Sequence, residues 1–236
     1  SGTGSHLNAH ALTIGNVDGA TGNVVTLANG GLLTATSITL RESSGLVIGA
    51  GGAAGSITAP VVITGAGTAP GYVTFDHTDT AYTFGSTLAG NLAVNHDGSG
   101  TTRLTGANTY AGATTINAGR LDIDGSVTGP VLVNAGGTLG GIGSFGGGTV
   151  NAGGVIAPGN SIGTLASTSG LQFATGSAFV VDVNASGQFD RLVVTGAAGL
   201  AGEVRVQAAP GAYAPGTTNP ILTATSLGGT FSGVTT

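Results

Sequence analysis

Five stretches of this 236-residue sequence carry residue types and spacings that catalytic or ligand-binding sites use. The first, Gly159–Gly163 (GNSIG), fits the G-x-S-x-G pattern, in which a serine on a sharp strand-to-helix turn is activated by a histidine later in the chain. The last histidine of this sequence is His96, which precedes the serine, and no helical pattern follows the segment. We therefore interpret Ser161 as part of a turn and predict no catalytic residue there.

A glycine-rich segment, Gly141–Gly146 (GIGSFG), fits the G-x-G-x-x-G pattern that holds a phosphate at a helix N-terminus. The residues after it are Gly, Gly, Thr and Val rather than a helix, and 47 glycines make chance matches expected. The calcium-binding nonapeptide of another solenoid class is not completed either, because the region between Gly136 and Gly148 contains no aspartate. The sequence predicts no cofactor and no calcium site.

Two aspartates, Asp122 and Asp124, are spaced for one face of a strand. Paired carboxylates of this kind carry out glycoside hydrolysis. Leu121 and Ile123 alternate with them, so we expect the aspartates to lie on the solvent side of the strand and to have no catalytic role.

Histidines beside acidic residues offer candidate metal ligands in the segments 76–79 (DHTD) and 96–97 (HD). A single histidine next to exposed carboxylates is more typical of a polar loop, and no cysteine is present to add a thiolate ligand. We predict polar loops in both segments and no metal site.

A phrase that occurs three times indicates the elements that position these residues: INAGRLDIDGS, VNAGGTLGGIGS and VNAGGVIAPGNS. Its asparagines, Asn117, Asn134 and Asn151, follow one another every 17 residues. A fixed period is typical of a parallel β-solenoid, whose coils stack about 4.8 Å apart and place equivalent residues above one another. We predict an asparagine ladder and, at roughly 17 to 25 residues per coil, on the order of ten coils. The alternative is three asparagine turns in unrelated loops.

The composition supports an all-β chain that folds. Its mean hydropathy of +0.38 and its net charge of −5 differ from those of disordered chains, and strong helix formers are scarce. The five cationic side chains are scattered arginines, so no basic stripe is available for phosphates. No apolar run reaches the 18 residues of a membrane-spanning helix. We predict neither a nucleic-acid partner nor direct membrane insertion.

The chain has no composition break that would mark a linker, so we predict one continuous solenoid. Residues 1–6 (SGTGSH) have the appearance of a cloning remnant, and residues 7–170 are predicted to form a β-helix stalk. Residues 171–236 contain longer alternating strands and five of the 15 charged residues. Charge and alternation suit a terminal cap that protects the last strand edge, and we predict a β-hairpin-type cap.

Four phrases of the sequence, in this order, resemble the passenger domains of bacterial autotransporters (type V secretion). The phrase LTGANTYAGATTINAGRL, residues 104–121, is similar to the passenger-associated repeat of that family. The other three are APGNSIGTL (157–165), FDRLVVTGAAGLAGEVRV (189–206) and ILTATSLGGTFSGV (221–234). The resemblance implies a structural turn made of Pro158, Gly159, Asn160 and Ser161. Residues 7–103 carry no matching motif.

The resemblance also implies a fold and a location. The fold would be a right-handed parallel β-helix, exported through the outer membrane of a Gram-negative bacterium by a C-terminal β-barrel that would follow Thr236. The protein would lie at the bacterial cell surface or be secreted after cleavage. Its last part, about residues 171–234, would act as an autochaperone that folds first and templates the other coils.

These observations favour a non-catalytic passenger segment that acts as a stalk and as a cap that assists folding and secretion. Its surface would serve adhesion to host cells or other bacteria, or would carry an upstream effector, and a strand face bearing Tyr72, Phe75 and Tyr82 is the expected place for such binding. The alternative is a polysaccharide-degrading β-helix enzyme, a lyase or glycoside hydrolase. Such an enzyme needs aspartates clustered with Lys, Arg or His, whereas this chain has no lysine and scattered arginines.

Overall fold

In the computed structural model, residues 4–15, 22–58, 61–216 and 218–236 are described, and every helix or strand element among them is a strand. The strands are β1 (His6–Asn8), β2 (Ala11–Ile14), β3 (Val24–Leu27), β4 (Leu32–Thr34), β5 (Ser37–Arg41), β6 (Gly45–Gly52), β7 (Ser56–Ile57), β8 (Val62–Ala66), β9 (Gly71–His77), β10 (Tyr82–Phe84), β11 (Thr87–Gly90), β12 (Leu92–His96), β13 (Thr101–Leu104), β14 (Ala107–Asn108), β15 (Thr114–Ile116), β16 (Gly119–Ile123), β17 (Ser126–Val127), β18 (Val131–Val133), β19 (Gly137–Gly140), β20 (Ser144–Phe145), β21 (Gly148–Val150), β22 (Val155–Ile156), β23 (Thr164–Ser167), β24 (Leu171–Phe173), β25 (Ala178–Val183), β26 (Arg191–Leu200), β27 (Glu203–Ala208), β28 (Leu222–Gly229) and β29 (Val234–Thr235).

Three strands make one coil over most of the chain. Strands pair in parallel with their counterparts in the next coil, except from β7 to β10 and from β11 to β14. Coil 1 comprises β1–β3, coil 2 β4–β6, coil 3 β7–β9, coil 4 β10–β12, coil 5 β13–β15, coil 6 β16–β18, coil 7 β19–β21 and coil 8 β22–β24. In coil 9 (β25 and β26) and coil 10 (β27 and β28) the second strand is long, and β26 pairs with both β23 and β24. The predicted parallel β-helix is confirmed, with ten coils and the final strand β29 in the described residues.

Continuous columns of inward-facing side chains form the core. One column runs in register through Ile48, Phe75, His96, Ile116 and Val133. Its members are all shielded from solvent. Each coil contributes one such residue at the equivalent position, so the core is a narrow stack in which every layer contacts only its neighbours.

The 17-residue repeat corresponds to single coils. Ile116 pairs with Val133, and Val133 with Val150, so the coils advance by 17 residues at these two steps. Ten coils at about 4.8 Å per step give a rod about 50 Å long.

The C-terminal part differs from the predicted β-hairpin-type cap. β25, β27 and β29 pair in parallel, as do β26 and β28. Among the described residues after Leu171, antiparallel pairing is confined to one bridge between Val183 and Phe189. The longer strands in this region extend the coils across two faces instead of folding back, and this is why the hairpin prediction is wrong.

The first strand begins at His6, which pairs with Leu32 of coil 2 and lies inside the segment 1–6 that the sequence assigns to a cloning remnant. Residues 1–3 of that segment lie outside the described part of the chain. Throughout the described ranges, no helix has the length and apolar character required to cross a bilayer.

Candidate functional site

The structure brings the three repeat asparagines together in one row of side chains. Asn151 Nδ2 donates to Asn134 Oδ1 at 2.7 Å, and Asn134 Nδ2 donates to Asn117 Oδ1 at 2.7 Å. The row continues one coil further, because Asn117 Nδ2 donates to the Asp97 carboxylate at 2.7 Å. All the amides donate in one direction along the rod, and the row ends on a group that only accepts at neutral pH. We call Asp97, Asn117, Asn134 and Asn151 the asparagine ladder.

Asn117 and Asn134 each accept one ladder bond and donate another, and Asn134 is the less exposed of the two, so its replacement should have the largest effect. Asn134→Ala removes two hydrogen bonds and should lower the free energy of unfolding by about 1–2 kcal/mol, because each half-exposed bond contributes about 0.5–1.5 kcal/mol. Asn134→Asp retains an acceptor for Asn151 but places a carboxylate oxygen against Asn117 Oδ1. We expect it to be at least as destabilising as alanine at pH 7.

Denaturant unfolding of both variants at pH 7 measures this prediction. Asn151→Ala is the matched control, since it removes one ladder bond and should have about half the effect. An Asn134→Asp variant as stable as the parent protein would contradict the donor direction of the ladder.

Two polar residues of the passenger-like phrase are buried in the wall of the rod. Asn108 is fully buried; its Oδ1 accepts from Leu88 N at 2.9 Å, and its Nδ2 donates to Gly106 O and Ser126 O at 3.0 Å each. It therefore joins coils 4, 5 and 6 through backbone groups. Tyr110 is also fully buried and shares a hydrogen bond with the Thr114 hydroxyl. Burial raises the pKa of Tyr110, so it is a neutral packing group.

The segment with Pro158, Gly159, Asn160 and Ser161 lies in a connection between β22 and β23 that folds over the face formed by β13, β16 and β19. Pro158 and Gly159 are buried, whereas Asn160 and Ser161 are exposed. Gly159 N–H donates to Gly141 O at 2.8 Å. Gly159 has a φ of +81°, and a Cβ there would lie 2.0 Å from Ser161 O, so only glycine fits. We call residues 157–163 the pinned turn.

Arg120 holds the pinned turn against the rod. Its Nη2 donates to Gly159 O at 2.6 Å and to Ala157 O at 3.2 Å, and its Nε donates to Asp122 Oδ1 at 2.7 Å. The two side chains cover Gly140, where a Cβ would lie 2.0 Å from the Arg120 guanidinium. The glycine leaves the space that the ion pair occupies.

Two further carboxylates hold the pinned turn. The Asp124 carboxylate lies 3.0 Å from Arg103 Nε and accepts from Asn160 Nδ2 at 3.2 Å. Asp190 accepts from Gly163 N and from Asp182 N, each at 2.8 Å. The turn is thus bound to residues from coils 6, 7 and 9, which makes it a junction between distant parts of the chain.

Burial changes the ionisation of two of these carboxyls. The pKa of Asp190 is raised to about 6 by burial, against the two backbone N–H donors that favour its charged form. Burial also raises the pKa of Asp122, and the attraction of Arg120 opposes this rise. The expectation that Asp122 faces solvent is therefore wrong: it is 2% exposed, because the pinned turn from a later coil covers it.

A groove of about 490 Å³ remains between the pinned turn and the wall of the rod. Arg103, Arg120, Asp122 and Asp190 are among its lining residues, and each is already bound to a protein group. These side chains therefore act first as structural donors and acceptors.

The segments that fit catalytic patterns are built into turns and strands. Gly163 is followed by β23, whereas a nucleophile elbow continues into a helix. The G-x-G-x-x-G segment includes the two-residue strand β20 (Ser144–Phe145), and Phe145 packs in the core. Both segments serve the stacking of coils.

The histidines predicted to lie in polar loops are in the core. His77 ends β9, His96 ends β12, and neither has any solvent exposure. The predicted aromatic binding face is not formed as expected either, since Phe75 is fully buried and stacks at 6.3 Å from the His96 ring. The period-two alternation of Val73, Phe75 and His77 is the sequence signal that places His77 inside.

Comparison with known proteins gives these features a family context. The passenger-associated-transport-repeat family matches residues 97–123, which include Asn108, Tyr110 and the first two ladder residues. The "Adhesin BmaC autotransporter" of Brucella suis biovar 1 (strain 1330) is 50% identical over 78 residues. Together these matches support an autotransporter passenger segment.

The chain also matches the "Extracellular serine protease" of Serratia marcescens, with 37% identity over 119 residues. The match covers 50% of this chain, and that to the Brucella adhesin covers 32%. They span only 11% and 2% of the respective relatives. Autotransporters are exported to the bacterial cell surface or secreted, and this is the location that the matches support for the chain.

Proposed function

We propose that this passenger segment is a non-catalytic stalk whose last coils, residues 171–234, assist folding and secretion. Its surface would carry an upstream effector or serve adhesion to host or bacterial cells. Its partner in export would be the translocator β-barrel of the same autotransporter.

The observation that carries this proposal is the continuous stack of coils, which ends in an aromatic cluster. Phe173, Phe179 and Phe231 form a cluster with ring centroids 5.3–6.2 Å apart. This cluster joins coils 8 and 9 to the segment after β28. In a stack of neighbour-dependent coils the first coil is the most costly to form, so a well-packed end is the natural nucleus.

Similarity to the Brucella protein, which is named an adhesin, supports adhesion as the role of the surface. A polysaccharide-degrading enzyme receives less support, because the groove carboxylates Asp122 and Asp190 are buried and bound to protein donors. The Serratia relative is named a protease, but the matched region is 11% of it, and Ser161 lies in a turn that continues into a strand.

Removal of residues 171–236 tests the folding function. We expect the truncated chain to lose native refolding after dilution from denaturant, because the aromatic nucleus is absent. Circular dichroism and protease resistance report the refolded fraction. The matched control removes residues 1–70, which leaves β9–β29 intact and should refold. Refolding of the C-terminally truncated chain with the yield and rate of the intact protein would refute the proposal.

A further inference from the structure

Coils 3 to 5 contain a cluster of polar side chains at positions where neighbouring coils have apolar residues. His96 lies in a core column between Phe75 and Ile116. Thr102 and His77 lie beside it, and all three polar side chains are fully buried. Apolar residues fill the neighbouring positions of this column, so coils can stack without these polar side chains.

The hydrogen bonds fix the protons of this cluster. His96 Nδ1 lies 2.9 Å from Ala118 O, which only accepts, so Nδ1 carries the proton and Nε2 of the neutral ring accepts. The Thr102 hydroxyl donates to His96 Nε2 over 3.1 Å and accepts from His77 Nε2 at 2.7 Å. His77 Nδ1 is then an unprotonated nitrogen, buried without a hydrogen-bond partner against Gly100. Both imidazoles are neutral.

An added proton has no satisfactory position in this arrangement. On His77 Nδ1 it would make a buried N–H donor that faces the Gly100 backbone. On His96 Nε2 it would direct two ring N–H groups at the Thr102 oxygen and leave the threonine hydroxyl without an acceptor. Either position buries a charge and an unsatisfied donor, each of which destabilises the folded state.

The ionisable surroundings do not reverse this effect. Burial lowers the pKa of His77 and of His96 below the ordinary value of 6.5, although nearby carboxylates oppose the shift. The ring of Tyr82 in β10 lies 4.9 Å from the His77 ring, and burial raises the pKa of Tyr82 to about 12, so it stays neutral. The charged groups on the packed elements and the loops after them are Asp76, Asp79, Asp97 and the outward-facing Arg103, which pairs with Asp124.

Acid stabilises the pinned turn, whereas it destabilises the histidine cluster. A carboxyl whose folded pKa is raised binds its proton more tightly in the folded state, so the stability due to Asp190 increases as the pH falls from about 6 towards 3.8. The raised pKa of Asp122 acts in the same direction. A buried neutral histidine is different, since its contribution is complete above pH 6.5 and decreases below it.

We infer that the His77–Thr102–His96 cluster makes coils 3 to 5 acid-labile, so that acidification opens residues 71–118 while the coils joined by the pinned turn stay closed. Opening in one part of the rod is possible because each coil is stabilised only by its neighbours. Each histidine that charges on opening raises the opening equilibrium constant up to about 30-fold between pH 7.5 and pH 5.0.

Hydrogen exchange of the full chain at pH 7.5 and pH 5.0 tests the inference, with exchange times adjusted for the intrinsic amide rate. Protection in peptides from 71–118 should fall at least tenfold at pH 5.0, by the proton linkage above. Protection in peptides from 155–194 should stay constant or increase. Equal protection of residues 71–118 at the two pH values would overturn the inference.

The double variant His77→Gln/His96→Gln should lose the pH dependence in residues 71–118, and the double variant His6→Gln/His10→Gln, which changes two exposed histidines, should retain it. Persistence of the pH dependence in the first variant would also overturn the inference. Should that variant not fold, NMR titration of the parent protein decides. The Cε1–H signals of His77 and His96 should titrate below the ordinary histidine pKa of 6.5, and titration of both at or above 6.5 would contradict the cluster's role.

Discussion

Replacement of Phe179 by alanine is expected to destabilise the passenger segment by about 3–5 kcal/mol and to slow its refolding. The side chain is fully buried between Ile156 and Val204 and contacts two other phenylalanine rings. Large-to-small changes of a buried phenylalanine have costs of this size because a cavity remains. If the C-terminal coils nucleate folding, most of the loss appears in the folding rate, which should fall about 30-fold or more.

Phe145→Ala is the matched control for this rate effect. Phe145 is also fully buried, between Val127 and Ser167 in the middle of the rod. We expect a comparable loss of stability, expressed mainly as faster unfolding. Stopped-flow refolding and unfolding of both variants separates the two cases. Slower refolding of Phe145→Ala than of Phe179→Ala would place the nucleus in the middle of the rod.

Replacement of Arg120 by methionine is expected to lower stability by about 3–5 kcal/mol at pH 7.5, because it leaves the buried Asp122 without its counter-charge. It also leaves the carbonyls of Ala157 and Gly159 without their side-chain donor. The loss should shrink at acidic pH. Removal of Arg120 raises the pKa of Asp122 further, and a raised folded-state pKa means stability that is present at low pH and is lost as pH rises.

Denaturant unfolding at pH 7.5 and pH 5.0 measures both effects. Arg205→Met is the control, because the ion pair of Arg205 with Glu203 is exposed and should contribute less than about 1 kcal/mol. In the double variant Arg120→Met/Asp122→Leu no buried charge remains, so part of the loss should be recovered. A single Arg120 variant as stable as Arg205→Met would show that the ion pair does not hold the pinned turn.

The sequence predicts the stacking of coils where successive coils have similar sequences. Asn117, Asn134 and Asn151 recur at the coil length, so their spacing predicts both the stacking and their shared row. Arg120 and Asp122 show the limit of this reasoning. Their burial depends on a turn about 40 residues later, and no local pattern records a contact of that kind.

The histidines show a second limit. His77 and His96 stand beside aspartates, and this local polarity favours a loop interpretation, yet each continues the inward alternation of its strand. The Nε2 atom of each ring forms a hydrogen bond with Thr102 from another coil. Tertiary hydrogen bonding thus outweighed local polarity, whereas the alternation of side chains predicted the correct face.

The asparagine ladder also bears on errors of alignment during folding. Val133 and Val150 begin the same phrase, VNAGG. Apolar packing alone therefore barely distinguishes native stacking from a misaligned stack in which a coil pairs with the next but one. The ladder does distinguish them, because it starts at the acceptor Asp97 and ends at Asn151, and the next coil has Ala174 at the equivalent height. A skipped coil leaves one asparagine without its partner, at a cost of about 1 kcal/mol. A row of amides can thereby favour the correct register in a chain whose coils have similar sequences.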